Sequence, residues 1–248
     1  MNKTIKRILI GIGAVVVILL IVMGGFRMKM KSEMKKMSVI ETKEVVHNIY
    51  SIKDSFVNMF LLKDSNNYVA VDAGNDIKVI TAELKKLNIE PDKVAAVFLT
   101  HTDGDHVNAL KLFKNARIYL SRDEEQMING KTTKLMFFHN KLYTKEYNLL
   151  DDQQTVQIGN IRIKTITTPG HTPGSMSYLI NDKYLFVGDA FGLKEGKVDK
   201  PNKFFSGDMK TAIQSFKKIT NLPTAAYIFT AHNGFTSDYK NATNTRLE

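Results

Sequence analysis

The chain has 248 residues, 43% hydrophobic and 24% charged, which is the composition of a globular protein large enough to bury a substantial core. It contains no cysteine, which excludes disulfide bonds and thiolate metal ligands, so imidazole and carboxylate groups must hold any metal ion. The net charge is +10, but eight basic residues and one acidic residue lie in residues 1–40, so most of the excess flanks the first apolar segment and predicts no nucleic-acid-binding groove in the folded body.

An uncharged apolar stretch from Ile8 to Phe26 is the first predicted element. As a helix rising about 1.5 Å per residue, it would match the roughly 30 Å hydrocarbon core of a membrane. The stretch is longer than the roughly 7 to 15 residues of a signal-peptide apolar region, and Met23-Gly24-Gly25 is a poor cleavage site. A core helix would show a polar face. Residues 1–26 are therefore predicted to be an uncleaved single-pass membrane anchor rather than a cleaved signal peptide or a buried helix.

The basic residues around this stretch leave its orientation open. Five of them follow it and three precede it, which by the positive-inside rule favours a cytoplasmic domain. The very short basic tail is instead typical of a signal anchor whose domain lies outside, and we expect the outer face by a small margin. Residues 27–42, basic and rich in methionine, are predicted to be a linker, either a short juxtamembrane helix or a mobile arm.

Residues 43–248 are predicted to form one domain of two similar halves, each with several strands before a helix. Short apolar runs between turn residues predict strands, and apolar residues at helical spacing predict helices. In the first half these are strands at Val45–Ile52, Val57–Lys63, Tyr68–Asp72, Val94–Thr100 and Arg117–Ser121, and helices at Ile77–Leu87 and Val107–Phe113. Residues 123–150 are predicted to be irregular and partly helical. The second half has hairpins at Val156–Ile166 and Ser177–Val187, a helix at Met209–Ile219 and a strand at Ala226–Thr230.

The densest group of possible metal ligands follows the predicted buried strand Val94–Thr100. It reads His101-Thr102-Asp103-Gly104-Asp105-His106, with two imidazoles and two carboxylates in six residues. Residues two apart in extended backbone point the same way, so His101 and Asp103 can face one metal ion. Gly104 allows a tight turn, after which Asp105 and His106 can face another. A lone histidine is usually a core or surface residue, but ligands at this density predict a metal site.

Three further possible ligands each follow a predicted strand or lie in a rigid turn. His171 lies between Pro169 and Pro173, Asp189 ends the run Leu185–Asp189, and His232 follows the last strand. Ligands placed at strand ends can meet at one edge of a β-sandwich. Each is weak evidence alone, but their order and spacing together predict that they join the motif.

With these residues in this order, the chain resembles the metallo-β-lactamase-fold hydrolases, which include glyoxalase II, lactonases, phosphodiesterases and β-lactamases. The family pattern is His-x-His-x-Asp-His, then a lone histidine, a lone aspartate and a lone histidine, and the resemblance covers about residues 43–236. It implies an α+β fold, a four-layer αββα sandwich with metal ions at one rim, here preceded by a transmembrane helix. Val71-Asp72-Ala73-Gly74 is similar to the family's early Asp-x-Gly element, and Asp72 is a candidate to orient a ligand.

The resemblance also implies two divalent metal ions, with Zn²⁺ expected first and Mn²⁺ or Fe²⁺ as alternatives. His101, Asp103 and His171 would bind the first ion, Asp105, His106 and His232 the second, and Asp189 would bridge the two. Asp105 would also act in catalysis, by orienting the attacking water and moving its proton towards the leaving group.

Asp103 departs from the family pattern, which has histidine at this position. A carboxylate oxygen can bind Zn²⁺ at about 2.0 to 2.2 Å, so we expect Asp103 to be a ligand. A third carboxylate would lower the net charge of the centre, which predicts a weaker Lewis acid and more tolerance for Mn²⁺ or Fe²⁺. The alternative is that Asp103 does not bind and only the second site fills.

The expected reaction is hydrolysis of a small-molecule ester, thioester or lactone by metal-activated water. A phosphodiester is an alternative substrate, although the extra carboxylate should repel an anion, and the lack of cysteine is unlike the cysteine-containing β-lactamases. Two other functions stay open. One is sulfur oxidation at a single iron ion, and the other is a catalytically silent, membrane-tethered ligand-binding domain. The oligomeric state is not predicted.

Overall fold

The structure is a computed structural model that describes residues 2–133, 139–223 and 225–244. Residues 134–138, within the stretch predicted to be irregular, lie outside the described residues, as do the last four residues of the predicted domain. The chain divides into two compact units, residues 1–37 and residues 38–248.

The first unit is a single helix, α1 (Lys3–Met34), in which the apolar run continues into the basic stretch without a break. Asn2 caps the helix by accepting a hydrogen bond from the Thr4 amide at 3.1 Å. The helix is long and apolar enough to cross a membrane, a criterion that an N-terminal signal sequence also meets. Near its end, Glu33 pairs with the Lys29 ammonium at 2.7 Å. The first part of the predicted linker is therefore helical.

A seven-stranded sheet opens the second unit. Its strands are β1 (Lys43–Val46), β2 (Ile49–Asp54), β3 (Val57–Asp64), β4 (Asn67–Val71), β5 (Val94–Phe98), β6 (Arg117–Ser121) and β7 (Asn148–Leu150). They pair in chain order, antiparallel from β1 to β4 and parallel from β4 to β7. Helix α2 (Ile77–Lys86) connects β4 to β5. The short helices α3 (Gly104–Val107) and α4 (Glu125–Ile128) follow β5 and β6, respectively.

One predicted strand in this sheet is wrong. The run Val45–Ile52 is divided between β1 and β2, which form a hairpin. Asn48 at the turn has a φ of 62°, in the left-handed region that asparagine tolerates better than most residues. The apolar run alone did not reveal this turn.

A six-stranded sheet forms the second half. Its strands are β8 (Thr155–Ile158), β9 (Ile161–Thr167), β10 (Met176–Ile180), β11 (Tyr184–Phe186), β14 (Tyr227–Phe229) and β15 (Phe235–Thr236). Strands β8 to β11 are antiparallel neighbours, and β11 pairs with β14 in parallel. Between β11 and β14 lie a small hairpin, β12 (Leu193–Lys194) with β13 (Lys197–Val198), and helix α5 (Met209–Ile219), and α6 (Tyr239–Thr243) follows β15.

Alternating side chains on the strands divide the core into three clusters. Along β3, Phe60 and Leu62 join a cluster shared by both sheets, whereas Met59 and Leu61 join a cluster with α2. A third cluster packs α5 and α6 against the second sheet. The layers therefore run helix, sheet, sheet, helix, which confirms the predicted αββα sandwich.

A buried hydrogen bond joins the two sheets beside the metal-ligand motif. Tyr178 on β10 is fully buried, and its hydroxyl donates to the Leu99 carbonyl at 2.6 Å. Its ring packs edge-on against Phe98, with centroids 5.4 Å apart, and Phe98 stacks on Tyr119 at 4.5 Å. These contacts fix the end of β5 and therefore the start of the motif.

The helix predicted at Val107–Phe113 is wrong. Helix α3 spans Gly104–Val107, and a separate 3₁₀ turn spans Leu110–Leu112. A longer α-helix would use the His106 carbonyl for a bond four residues ahead, but that carbonyl accepts from the Ala73 amide at 2.8 Å. The last two residues of the motif therefore lie on a helical turn, not on a loop.

Candidate metal centre

All seven side chains predicted to bind metal lie together at one rim of the sandwich. Four follow β5, and the others follow β9, β11 and β14: they are His101, Asp103, Asp105, His106, His171, Asp189 and His232. Strands β9, β11 and β14 run in the same direction, because β10 is antiparallel to both β9 and β11 and β11 is parallel to β14. Their carboxyl ends therefore lie at the same edge of the sheet.

The first group consists of His101, Asp103 and His171, whose possible ligand atoms lie within 4.8 Å of one another. Asp103 Oδ2 is 3.1 Å from His171 Nε2 and 3.6 Å from His101 Nε2. The two imidazole rings meet edge to face at a centroid distance of 4.6 Å. The side chain of Asp103 therefore points into the cluster and lies where a ligand to a first ion would be needed.

The second group consists of Asp105, His106 and His232, also within 4.8 Å of one another. Asp105 Oδ2 is 3.4 Å from His232 Nε2 and 3.6 Å from His106 Nε2. Asp105 and His106 are neighbours in sequence, and the turn of α3 lets both side chains reach the same point.

Asp189 lies between the two groups. Its Oδ1 is 3.2 Å from His232 Nε2 and 3.5 Å from His106 Nε2, both in the second group. Its Oδ2 is 3.4 Å from His171 Nε2, in the first group. Each carboxylate oxygen of Asp189 thus faces a different group.

Three buried atoms at this point have no hydrogen-bond partner among the described residues: His101 Nε2, His106 Nε2 and Asp189 Oδ1. An unsatisfied buried polar atom costs about 1 to 3 kcal/mol, so such a cluster calls for a partner of another kind. Imidazole nitrogens and carboxylate oxygens are the donors that Zn²⁺ and similar ions take. The residues present therefore fit a divalent metal ion.

Hydrogen bonds to Nδ1 orient three of the four imidazoles. His232 Nδ1 is 2.6 Å from the Phe56 carbonyl, which can only accept, so this nitrogen carries the proton. His106 Nδ1 lies 2.8 Å from Asp72 Oδ2. His101 Nδ1 lies 3.1 Å from the hydroxyl oxygen of Thr100, whose own proton goes to Asp72. In each ring Nε2 is left to face the cluster, and carboxylate or carbonyl partners of this kind commonly orient metal-binding histidines.

The electrostatics of the site favour positive charge at its centre. Burial would lower the pKa of His106, but the carboxylates of Asp72, Asp105 and Asp189 raise that pKa well above its usual value. Burial would raise the pKa of Asp189, but the imidazoles of His232, His171 and His106 hold it well below its usual range.

Sequence reasoning missed Glu124, whose carboxylate joins the loop after β5 to the loop after β9. Its Oε1 accepts from the Thr102 amide at 2.8 Å and the Thr102 hydroxyl at 2.7 Å, and its Oε2 accepts from the Thr172 hydroxyl at 2.6 Å. The residue is fully buried, and burial raises the pKa of its carboxyl group against the opposing effects of His101 and these donors. Thr102 adjoins His101 and Asp103, and Thr172 adjoins His171, so one carboxylate fixes the spacing of the first group. A charged run at 122–125 gives no local sign of this role.

Two other histidines lie outside the cluster. His47, at the turn between β1 and β2, is exposed, and so is His139. Neither histidine is among the predicted ligands.

Comparison with known proteins points to one family. Residues 52–232 match the family model described as the metallo-beta-lactamase superfamily. A probable polyketide biosynthesis zinc-dependent hydrolase of Bacillus subtilis is 34% identical over 58% of this chain and 60% of that protein. A hydroxyacylglutathione hydrolase of Buchnera aphidicola is 30% identical over 72% of this chain and 62% of that protein. In both cases the match spans less than two thirds of the relative's length.

Solved structures agree on the fold. A B3 metallo-beta-lactamase described as having an active-site glutamic acid superposes with a TM-score of 0.63, covering 84% of this chain and 88% of that one. Sequence identity is 15%, so this likeness concerns the fold alone.

The contact between Gly174 and Glu124 gives a test of how the loops are fastened. A Cβ at position 174 would lie 2.0 Å from the Glu124 backbone nitrogen and 2.3 Å from its Cα, and backbone atoms cannot move aside as a flexible side chain can. We expect Gly174→Ala to separate the loops and to lower the free energy of unfolding by about 1 to 3 kcal/mol or more, as overpacking does. The measurement is chemical denaturation of the full chain in detergent.

Gly207→Ala is the matched control. Its Cβ would meet the carbonyl oxygens of His171 and Gly170 at an ordinary 3.4 and 3.9 Å, so we expect its stability to stay within about 0.5 kcal/mol of wild type. Equal stability of the two variants would contradict the close packing of Gly174 on Glu124.

Proposed function

The chain belongs to the metallo-beta-lactamase superfamily, and from this premise we propose that it is a metal-dependent hydrolase of a small ester, thioester or lactone. The observation that carries the proposal is the position of Asp189, whose two oxygens lie 3.2 Å from His232 Nε2 and 3.4 Å from His171 Nε2. A carboxylate between two sets of imidazole and carboxylate groups suits a pair of metal ions that act on one substrate.

The proposed ligands follow the two groups. His101, Asp103 and His171 would hold a first ion, Asp105, His106 and His232 a second, and Asp189 would contact both. Bound divalent ions would polarise a carbonyl oxygen and lower the pKa of a water molecule in the cleft. The fixed Nδ1 protons of His101, His106 and His232 support this assignment, because they leave Nε2 as the donor atom.

Asp105 is the residue proposed to handle the proton. Its side chain is 21% exposed, against 0% for His106 and 9% for His232, so a carboxylate oxygen can contact water in the cleft. That oxygen would accept a hydrogen bond from the attacking water, take up its proton and release it to the leaving group. The imidazoles of His101, His106 and His232 cannot share this task, because their Nε2 atoms would serve as ligands and their Nδ1 atoms are hydrogen-bonded.

Two observations support an ester-like substrate rather than a phosphodiester. One of the relatives is named for the hydrolysis of hydroxyacylglutathione, a thioester. Asp103 adds a third carboxylate to the centre and should repel a phosphate group. The same carboxylate favours oxygen-preferring ions such as Mn²⁺ and Fe²⁺, and a mononuclear iron oxygenase is therefore the second candidate.

Metal removal and substitution test the hydrolase proposal. We expect the full chain to hydrolyse at least one member of an ester, thioester, lactone and phosphodiester panel, and to lose that activity on chelation and regain it with Zn²⁺ or Mn²⁺. Because loss of a residue that merely supports a ligand costs about 10- to 100-fold, we expect His106→Ala and Asp189→Ala to lower kcat/KM more than about 100-fold. The measurement is steady-state kinetics with metal analysis.

His47→Ala is the matched histidine control and should keep wild-type kinetics, since His47 is exposed on the β1–β2 turn. Full activity in His106→Ala or Asp189→Ala would refute the proposed centre. A bound metal with no turnover on any panel member would favour a ligand-binding domain, and oxygen consumption with a persulfide would favour the iron oxygenase.

We also propose that residues 1–26 anchor the chain in a membrane as a single span. The apolar part of α1 is about 19 residues, or about 28 Å at 1.5 Å per residue, close to the thickness of a bilayer core. The basic residues that follow it would lie near lipid head groups. The domain is proposed on the outer face, with the opposite orientation as the alternative.

Fractionation tests the anchor. We expect the full chain to stay in the membrane pellet after a wash in about 1 M salt. Salt at this concentration screens surface charge, whereas apolar insertion does not depend on salt. Val16→Lys with Leu20→Lys should release it, since each buried lysine costs about 2.5 to 3.5 kcal/mol at a span centre. Release of the wild-type chain by salt alone would show that only its basic residues hold it.

A further inference from the structure

Asp103 poses a geometric problem that histidine would not. An imidazole whose Nδ1 is hydrogen-bonded offers one donor atom, but a carboxylate has two oxygens and can present either or both. Oδ2 of Asp103 faces the imidazoles, 3.1 Å from His171 Nε2 and 3.6 Å from His101 Nε2. The other oxygen, Oδ1, accepts a hydrogen bond from the Asn140 amide at 2.9 Å.

The orientation of the Asn140 side chain is fixed by its partners. Its Nδ2 also donates to Thr102 Oγ1 at 3.1 Å, and the Thr102 hydroxyl proton is already directed to Glu124. Both neighbours of the amide can therefore only accept, so its NH₂ group must face them. A flipped amide would set its oxygen against a carboxylate.

The backbone of Asn140 is held as well. The backbone N–H of Asn140 donates to the Met127 carbonyl at 3.0 Å. Met127 lies near the end of α4 and is fully buried. Asn140 is itself only partly buried, so these three hydrogen bonds, rather than tight packing, set its position. Among its described residues, the stretch predicted to be irregular thus directs the Asn140 amide group at the cluster.

We propose that Asn140 is a positioning residue that makes Asp103 present Oδ2 alone to the first metal ion, so that the aspartate serves as a single-atom ligand in the place where the family pattern has histidine. This inference rests on the proposed metal centre. By holding Oδ1, the Asn140 amide prevents the carboxylate from turning both oxygens inward, and it sets the affinity of the first group without touching the second.

A double-mutant cycle on metal affinity tests the inference. Full-length protein in detergent, stripped of metal, is titrated with Zn²⁺ in competition with a chromophoric chelator to give the number of ions bound and both dissociation constants. For Asn140→Ala we expect the affinity of one ion to fall about 10- to 100-fold, the usual loss when a partner of a metal ligand is removed. The dissociation constant of the other ion should change by less than about threefold, because the hydrogen bonds of Asn140 within the described residues go to Thr102, Asp103 and Met127.

The Asp103→His background separates positioning from structure. An imidazole at position 103 has no second oxygen to restrain, so Asn140→Ala should then cost less than about threefold. Asn140→Asp, which keeps the shape but replaces the donor by a second carboxylate, should weaken the same ion at least as much as alanine does. Asn115→Ala, at an exposed asparagine near β6, serves as the control and should leave both constants unchanged. Thermal unfolding of each variant shows that it is folded.

The outcomes are distinct. If the wild-type protein binds two ions and Asn140→Ala leaves both dissociation constants unchanged, this inference is overturned and the proposed centre still stands. An equal loss in the Asp103→His background would show that Asn140 acts through Thr102 or the backbone, which also overturns it. Failure of wild type to bind Zn²⁺ would overturn the proposed centre and this inference with it.

Discussion

The architecture depends on keeping together side chains that would separate if left to themselves. His101 Nε2, His106 Nε2 and Asp189 Oδ1 are buried acceptors or donors that find no hydrogen-bond partner within the described chain, and each would cost about 1 to 3 kcal/mol if it stayed unsatisfied. Beside them, carboxylates approach one another around a common point, which like charges resist. A divalent cation bound here would remove both penalties at once.

The sandwich supplies the rigidity that this clustering requires. Two aromatic-lined sheets pack face to face, and the buried Tyr178 hydroxyl fixes the end of β5 by donating to Leu99. Beneath the ligands, Asp72 and Glu124 are buried carboxylates that accept hydrogen bonds from the motif and its neighbouring loop. His101, His106 and His232 thus each have a neighbour that sets the direction of the imidazole ring, and the proposed hydrolysis would need little rearrangement of the protein.

The sequence predicted the outline of the site well, because its signal is local. Four possible ligands in six residues and three more at strand ends form the two groups of three that the structure brings together, with Asp189 between them. The buried strands were equally clear from continuous apolar runs. By contrast, the hairpin turn at Asn48 depends on a single left-handed residue, and the early end of α3 depends on one backbone hydrogen bond from Ala73 to His106. Glu124 and Asn140 act over sequence separations of 22 and 37 residues, and no local pattern marks such contacts.

Anomalous X-ray diffraction tests most directly whether these seven side chains close around two metal ions. Crystals of the zinc-loaded protein, measured above and below the zinc absorption edge, should show two anomalous peaks. One should lie among His101, Asp103 and His171, the other among Asp105, His106 and His232, with Asp189 in contact with both. A single peak with the Asp103 side chain directed away from it, or no peak at this rim after Zn²⁺, Mn²⁺ and Fe²⁺ have each been offered, would contradict the account.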